Sequence, residues 1–166
     1  FSNDAFGQHI ASSERFDENY PENIMLEEAA KYYANIVLPY SSQVQKAMEV
    51  LATLEIGTIC PSHGLIIRKF IPELMEKYHK WSSNQTEKKA LIIYDTMWKS
   101  TEKMAHSIQE AFEVKGYEIR KYNLQHTHIS DIMTEILTAR YICVGSPTLN
   151  NGIMSTVSAF LTYFKG

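Results

Sequence analysis

From Ala90 onward the chain alternates between short apolar runs and segments of helical spacing. Ala90–Tyr94, Tyr117–Tyr122 and Tyr141–Gly145 are each long enough for one strand, the last reading as fully buried. Each is followed by residues that can form one face of a helix. These are Met104, Ala105, Ile108, Ala111 and Phe112, then Ile132, Met133, Ile136 and Leu137 within Ile129–Thr138, then a helix over Val157–Phe164. Strands joined through helices run parallel with right-handed crossovers, so the prediction is an α/β fold around a parallel sheet. Such sheets bind ligands beyond the carboxyl ends of their strands, where the strand order switches. Two polar loops leave such ends, Thr96–Thr101 and Ser146–Gly152.

The first loop carries hydroxyls at Thr96, Ser100 and Thr101 and runs into a helix start. Free N–H groups and the positive end of the helix dipole make that start a seat for an anion. No Gly-Lys-Ser/Thr P-loop and no Gly-x-Gly-x-x-Gly fingerprint is present. Hydroxyls and backbone N–H groups alone suit a terminal phosphate monoester, such as that of flavin mononucleotide (FMN) in a flavodoxin-like sheet. The competing reading is a plain helix cap, for which Ser and Thr are favoured anyway.

The first half has a different grammar. A helix is predicted over Glu27–Leu38, ended by Pro39, and a second over Ser42–Leu54 with Val44, Ala47, Met48 and Leu51 as its apolar stripe. Ile56–Cys60 reads as a short strand and Ile71–Trp81 as a helix. His63 would stand at that strand's end, pinned between Pro61 and Gly64, where a ring can serve as metal ligand or base. An ordinary loop histidine fits the spacing as well. Asp4 and His9 lie in the polar opening segment, and His126 and His128 in a loop where no further ligand converges. The polar stretch 82–89 breaks both periodicities and reads as a linker between domains 1–81 and 90–166.

A net charge of −3 with no Lys/Arg-rich block argues against nucleic acid and anionic membranes as partners. No apolar run approaches a membrane span and no signal pattern is present. Two cysteines far apart, Cys60 and Cys143, fit buried small hydrophobes in a reducing cytoplasm rather than a structural disulfide.

Four motifs in order then resemble one family. Tyr94-Asp-Thr-Met-Trp-x-Ser-Thr-Glu-Lys-Met-Ala105 and Val144-Gly-Ser-Pro-Thr-x-Asn-Asn151 resemble the flavodoxin-like domain of the flavodiiron proteins, oxygen or nitric oxide reductases. Ser2-Asn-Asp-Ala-Phe-Gly-Gln-His9 and Cys60-Pro-Ser-His-Gly64 resemble the second half of their metallo-β-lactamase-like domain. The resemblance implies the C-terminal part of a lactamase-like αββα domain, followed by the N-terminal part of a flavodoxin-like one. It implies Asp4 as a carboxylate bridging two irons, His63 as a terminal iron ligand and His9 as a supporting group behind the ligands. It implies Thr96, Met97, Trp98, Lys99, Ser100 and Thr101 as the FMN phosphate loop. Pro147, Thr148, Leu149, Asn150 and Asn151 would lie along the isoalloxazine ring. The family's upstream His-x-Glu-x-Asp-His cluster, a further ligand histidine and its second flavin loop have no counterpart here, so the resemblance implies an internal fragment.

It further implies electron transfer from FMN to a non-haem di-iron site that reduces dioxygen to water or nitric oxide to nitrous oxide. A head-to-tail homodimer and an electron donor such as rubredoxin go with it. Two other readings stay open: a flavodoxin-like electron carrier with a degenerate lactamase-like domain, and a metallohydrolase with an appended flavodoxin-like module.

Overall fold

The computed structural model describes residues 2–165 and divides into two compact units, the first ending at Gln85 and the second beginning at Thr86. In the first unit α1 spans Glu22–Tyr32, α2 Ser41–Leu51 and α3 Ile71–Ser82. Helix α1 starts five residues before the predicted Glu27. Pro21 immediately precedes it in an extended conformation, and Glu22 places a negative charge in the first turn, where the helix dipole favours it. Beyond Tyr32 the helix widens into a π-helical stretch, Tyr33–Val37, and Pro39 occupies a 3-10 turn before α2. That is how the chain accommodates a residue without an N–H.

Met25, Ala29, Tyr32 and Tyr33, spaced four, three and one apart, put one face of this helix into the core. Helix α3 answers with Leu74, Tyr78 and Trp81, all buried. The Tyr33 and Tyr78 rings meet edge to face at 5.0 Å, with Trp81 5.3 Å from Tyr33 and 5.6 Å from Tyr78. Aromatic pairs of this geometry add about 0.5–1.5 kcal/mol each beyond their buried area. The predicted stripe on α2 is amphipathic but none of its residues is buried. Val44, Ala47, Met48 and Leu51 instead line a cavity of about 500 Å³.

The predicted strand at Ile56–Cys60 is not one. Among the described residues only isolated bridges occur here, Asn3 with Pro61, Phe16 with Ile66 and Ile59 with Ile67. Order comes instead from the buried Asp17 carboxylate, which accepts the N–H groups of Arg68, Lys69 and Phe70 at the entry to α3.

In the second unit β1 (Lys89–Tyr94), α4 (Ser100–Val114), β2 (Glu118–Asn123), α5 (Ile129–Ile136), β3 (Tyr141–Gly145) and α6 (Ser155–Lys165) follow in the predicted alternation. The sheet is parallel, in the order β2-β1-β3. Every residue of β1 is buried, as a central strand covered on both faces requires. Ile92 and Tyr94 pack with Ala105 of α4, Ile119 and Cys143. Ile132, Met133 and Ile136 of α5 and Val157 and Phe160 of α6 are buried as well. The predicted full burial of Tyr141–Gly145 is corrected: β3 pairs on one side only and its residues are half-buried or exposed. Between β3 and α6 lies an unforeseen hairpin, β4 (Thr148–Leu149) with β5 (Gly152–Ile153). Its turn residues Asn150 and Asn151 both have positive φ, 49° and 62°. Two such residues in a two-residue loop match the twist of the flanking strands, and Asn tolerates the conformation best after Gly.

Candidate functional site

The second unit's site follows from the sheet order. The chain passes from β1 to β2 on one side, then to β3 on the other, so the order switches beside β1 at β3. The loops leaving β1 and β3 flank that switch and are held together there, Asp95 N–H donating to the Gly145 carbonyl at 3.1 Å. Gly145 also leaves room for the helix that follows β1: a Cβ on it would sit 3.0 Å from the Thr101 methyl.

Lys99, at φ 62°, immediately precedes α4, and no side chain caps the helix. The hydroxyls of this loop therefore are not serving as its cap. The Thr96 hydroxyl is buried and has no hydrogen-bond partner. A buried hydroxyl without a partner costs about 1–3 kcal/mol, which an incoming acceptor recovers. Thr101 is buried, whereas Met97, Lys99 and Ser100 are exposed and Trp98 is 85% exposed. Pro147 leads into the hairpin that carries Thr148, Leu149, Asn150 and Asn151, the last four exposed. The hairpin's base is closed by Ser146, whose hydroxyl accepts the Met154 N–H at 3.0 Å. An orphaned hydroxyl, an uncapped helix start and an exposed, partly apolar hairpin fit a flavin mononucleotide.

In the first unit Asp4 and His63 come together from 59 residues apart. Asp4 Oδ1 lies 3.6 Å from His63 Nε2, and the side chains are 55% and 58% exposed. Two strands of backbone bonding hold their loops: Ser62 N–H to the Asn3 carbonyl at 2.8 Å and Gln8 N–H to the His63 carbonyl at 3.2 Å. Beneath them the buried Gln8 side chain accepts the Leu65 N–H at 2.7 Å and donates to the Phe6 carbonyl. Gly64 at φ 89° leaves room for it, since a Cβ there would come within 2.2 Å of Gln8 Oε1. The Tyr32 phenol donates to Asp4 Oδ1 at 3.2 Å. Its ring lies 5.9 Å from that of His63 and 4.8 Å from that of His9. His9 thus reaches the pair through Tyr32. Burial first, then the bond to the Asp4 carboxylate and its charge, raise the Tyr32 phenol above its ordinary value and keep it a proton donor.

Carboxylate oxygen and imidazole nitrogen suit non-haem iron or zinc. Among the described residues, however, no three His, Cys, Asp or Glu side chains converge on a metal position. Asp4 and His63 fit as two members of a ligand set, not as a whole one. His126 and His128 gain no such role, for His128 accepts the Ser130 N–H and caps α5.

Comparison with known proteins bears on the fold. The flavodoxin family model matches residues 92–165. The chain is 47% identical over 166 residues to the nitric oxide reductase of Moorella thermoacetica, covering 99% of this chain and 42% of that protein. The solved rubredoxin oxygen:oxidoreductase of Desulfovibrio gigas superposes with a TM-score of 0.92 at 41% identity, over 98% of this chain and 42% of that one. The flavodiiron protein of Giardia intestinalis superposes at 0.91 with 32% identity, over 98% and 40%. Over nearly its whole length the chain is thus similar to part of the flavodiiron proteins. Its fold is the C-terminal part of their lactamase-like domain followed by the start of the flavodoxin-like one. The chain spans about two-fifths of the length of the curated relatives it matches.

Several working residues carry weak sequence signals. Gln8 and Gly64 lie inside the recognised motifs but read as filler beside Asp4 and His63. Tyr32 keeps the spacing of a core residue. Asp95, Gln125 and Thr156 are joined by side-chain hydrogen bonds but show nothing in sequence that links them.

Proposed function

We propose that this chain forms part of a flavodiiron oxidoreductase, in which electrons pass from FMN to a di-iron centre that reduces dioxygen or nitric oxide. The observation that carries the reading is the presence on one chain of a preformed Asp4–His63 pair and an uncapped phosphate seat with an orphaned hydroxyl. When bound, FMN supplies one-electron steps and iron supplies the site where the small substrate is reduced. Asp4 would bridge two irons, His63 would ligate one, and Tyr32 would hold a proton at its phenol oxygen beside the Asp4 carboxylate. Thr96, Ser100 and Thr101, with the N–H groups opening α4, would hold the FMN phosphate, alongside Met97, Trp98 and Lys99. Pro147, Thr148, Leu149, Asn150 and Asn151 would border the ring. The remaining iron ligands would come from outside residues 1–166, with residues 1–81 and 90–166 belonging to separate domains.

The relatives' names support nitric oxide and oxygen as substrates and rubredoxin as donor. A head-to-tail homodimer and a cytoplasmic location complete the proposal; among the described residues no helix is long and apolar enough to cross a membrane. The test is to express the longest natural protein containing this chain and measure FMN, iron and zinc per chain, then reoxidation of its reduced flavin by dioxygen and nitric oxide. Iron with FMN and rapid reoxidation is expected. Flavin without metal would favour the electron carrier, and zinc with hydrolase activity the metallohydrolase.

A further inference from the structure

Asp95 follows β1 directly, is fully buried, and is surrounded by donors from three separate segments. Its Oδ1 accepts the Thr96 N–H at 2.6 Å and the Gln125 amide at 2.5 Å. Its Oδ2 accepts the Thr156 hydroxyl. The Gln125 amide also donates to the Thr96 carbonyl at 3.0 Å, so both polar groups of the Thr96 backbone are fixed by this cluster. Thr96 bears the orphaned hydroxyl. Thr156 stands in the first turn of α6, just after the hairpin. A carboxylate is a pure acceptor and can satisfy all three donors at once; a hydroxyl or amide in its place would add a donor of its own.

We propose that Asp95 is a positioning residue that couples the two flavin loops, so that the hydroxyl of Thr156, which belongs to the ring side, helps aim Thr96 at the phosphate. This rests on the flavin reading above. A buried negative charge beside a phosphate seat is unfavourable by itself. Its retention there makes sense if the geometry it enforces outweighs the repulsion.

The experiment uses the longest natural protein, stripped of flavin, and measures FMN and riboflavin affinities by fluorescence quenching for the wild type, Thr156→Val and Thr156→Ser. Thr156→Val keeps the side-chain shape and removes one donor to Asp95. The preference for FMN over riboflavin should fall about tenfold, the order expected for loss of one well-placed charged hydrogen bond. Thr156→Ser should restore it. An equal loss for both flavins, or no loss for either, would overturn the coupling, leaving Asp95 as support for the hairpin or the fold. If the wild type itself binds riboflavin as tightly as FMN, the phosphate reading fails and the coupling with it. A wild-type preference that survives Thr156→Val removes the coupling alone.

Discussion

Replacing Thr96 with Val gives two effects of opposite sign. The Thr96 hydroxyl is buried and has no hydrogen-bond partner within the chain. Such a group costs about 1–3 kcal/mol, and Val fills the same shape without it. The flavin-free protein should therefore gain about 1 kcal/mol, or roughly 4–8 °C in midpoint for a domain of 60–100 residues. In the complex the same hydroxyl would donate to a charged phosphate oxygen, an interaction of about 1.5–3 kcal/mol. Its loss should weaken FMN by about tenfold to a hundredfold and leave riboflavin, which has no phosphate, nearly unchanged. FMN should then raise the midpoint less in the variant than in the wild type, because ligand stabilisation follows affinity. Thermal unfolding with and without flavin, together with quenching titrations of both flavins, reads every part. A flavin-free variant that melts lower than wild type would mean that the hydroxyl is already satisfied. Equal losses for the two flavins would refute its aim at phosphate.

Thr101→Val should likewise cost FMN about tenfold to a hundredfold and spare riboflavin; quenching titrations decide, and a parallel loss of both would assign Thr101 to packing. His63→Ala should lower iron content and abolish oxygen and nitric oxide reduction while flavin stays bound, and Asp4→Ala should lower iron further; metal analysis showing both irons retained would remove these residues from the centre. Gly64→Ala forces a side chain into a φ of 89° and onto Gln8; chemical denaturation should show a loss of about 1–3 kcal/mol, with iron content falling. Burial raises the Tyr78 phenol above its ordinary 10.0, although its oxygen accepts the Phe6 N–H. The raised group favours the fold fully below pH 10 and progressively less as the unfolded chain ionises above it. Stability measured by urea should thus fall above that pH, and less steeply in Tyr78→Phe. Limited proteolysis should cut first within 83–88, where the chain is polar and mostly exposed; first cleavage inside β3 would contradict the division into two units.

The strand–helix alternation, and with it the parallel sheet and the loops leaving β1 and β3, is legible because period and turn residues are local signals. What escaped is long-range or depends on neighbours. Tyr141–Gly145 is as apolar as a central strand, and only the strand order tells that one side is unpaired. Ile56–Cys60 has the composition of a strand, yet its backbone bonds go to Ser2 and Ile67, partners that periodicity cannot name. The helix before Pro39 begins early because the chain around Pro21 is arranged for a helix start, while its polar residues look irregular. The Asp95 cluster joins residues 30 and 61 positions apart, through single side chains with no pattern between them. Family motifs single out Asp4 and His63, whereas Gln8, which bonds to the backbone of His63 and Leu65, is visible only from the bonds it makes.

The cross-links between the Asp4 and His63 loops have a thermodynamic consequence. Ser62 to Asn3, Gln8 to His63 and Leu65 to Gln8 are all bonds between atoms of the polypeptide itself. The entropy of bringing a carboxylate and an imidazole within 3.6 Å of each other is therefore met during folding. In small zinc modules the reverse holds, and the metal's binding energy is the folding energy. Metal affinity and fold stability should therefore be separable quantities here. Chelation should remove iron from a first unit that stays folded, and re-addition should refill it without a refolding phase.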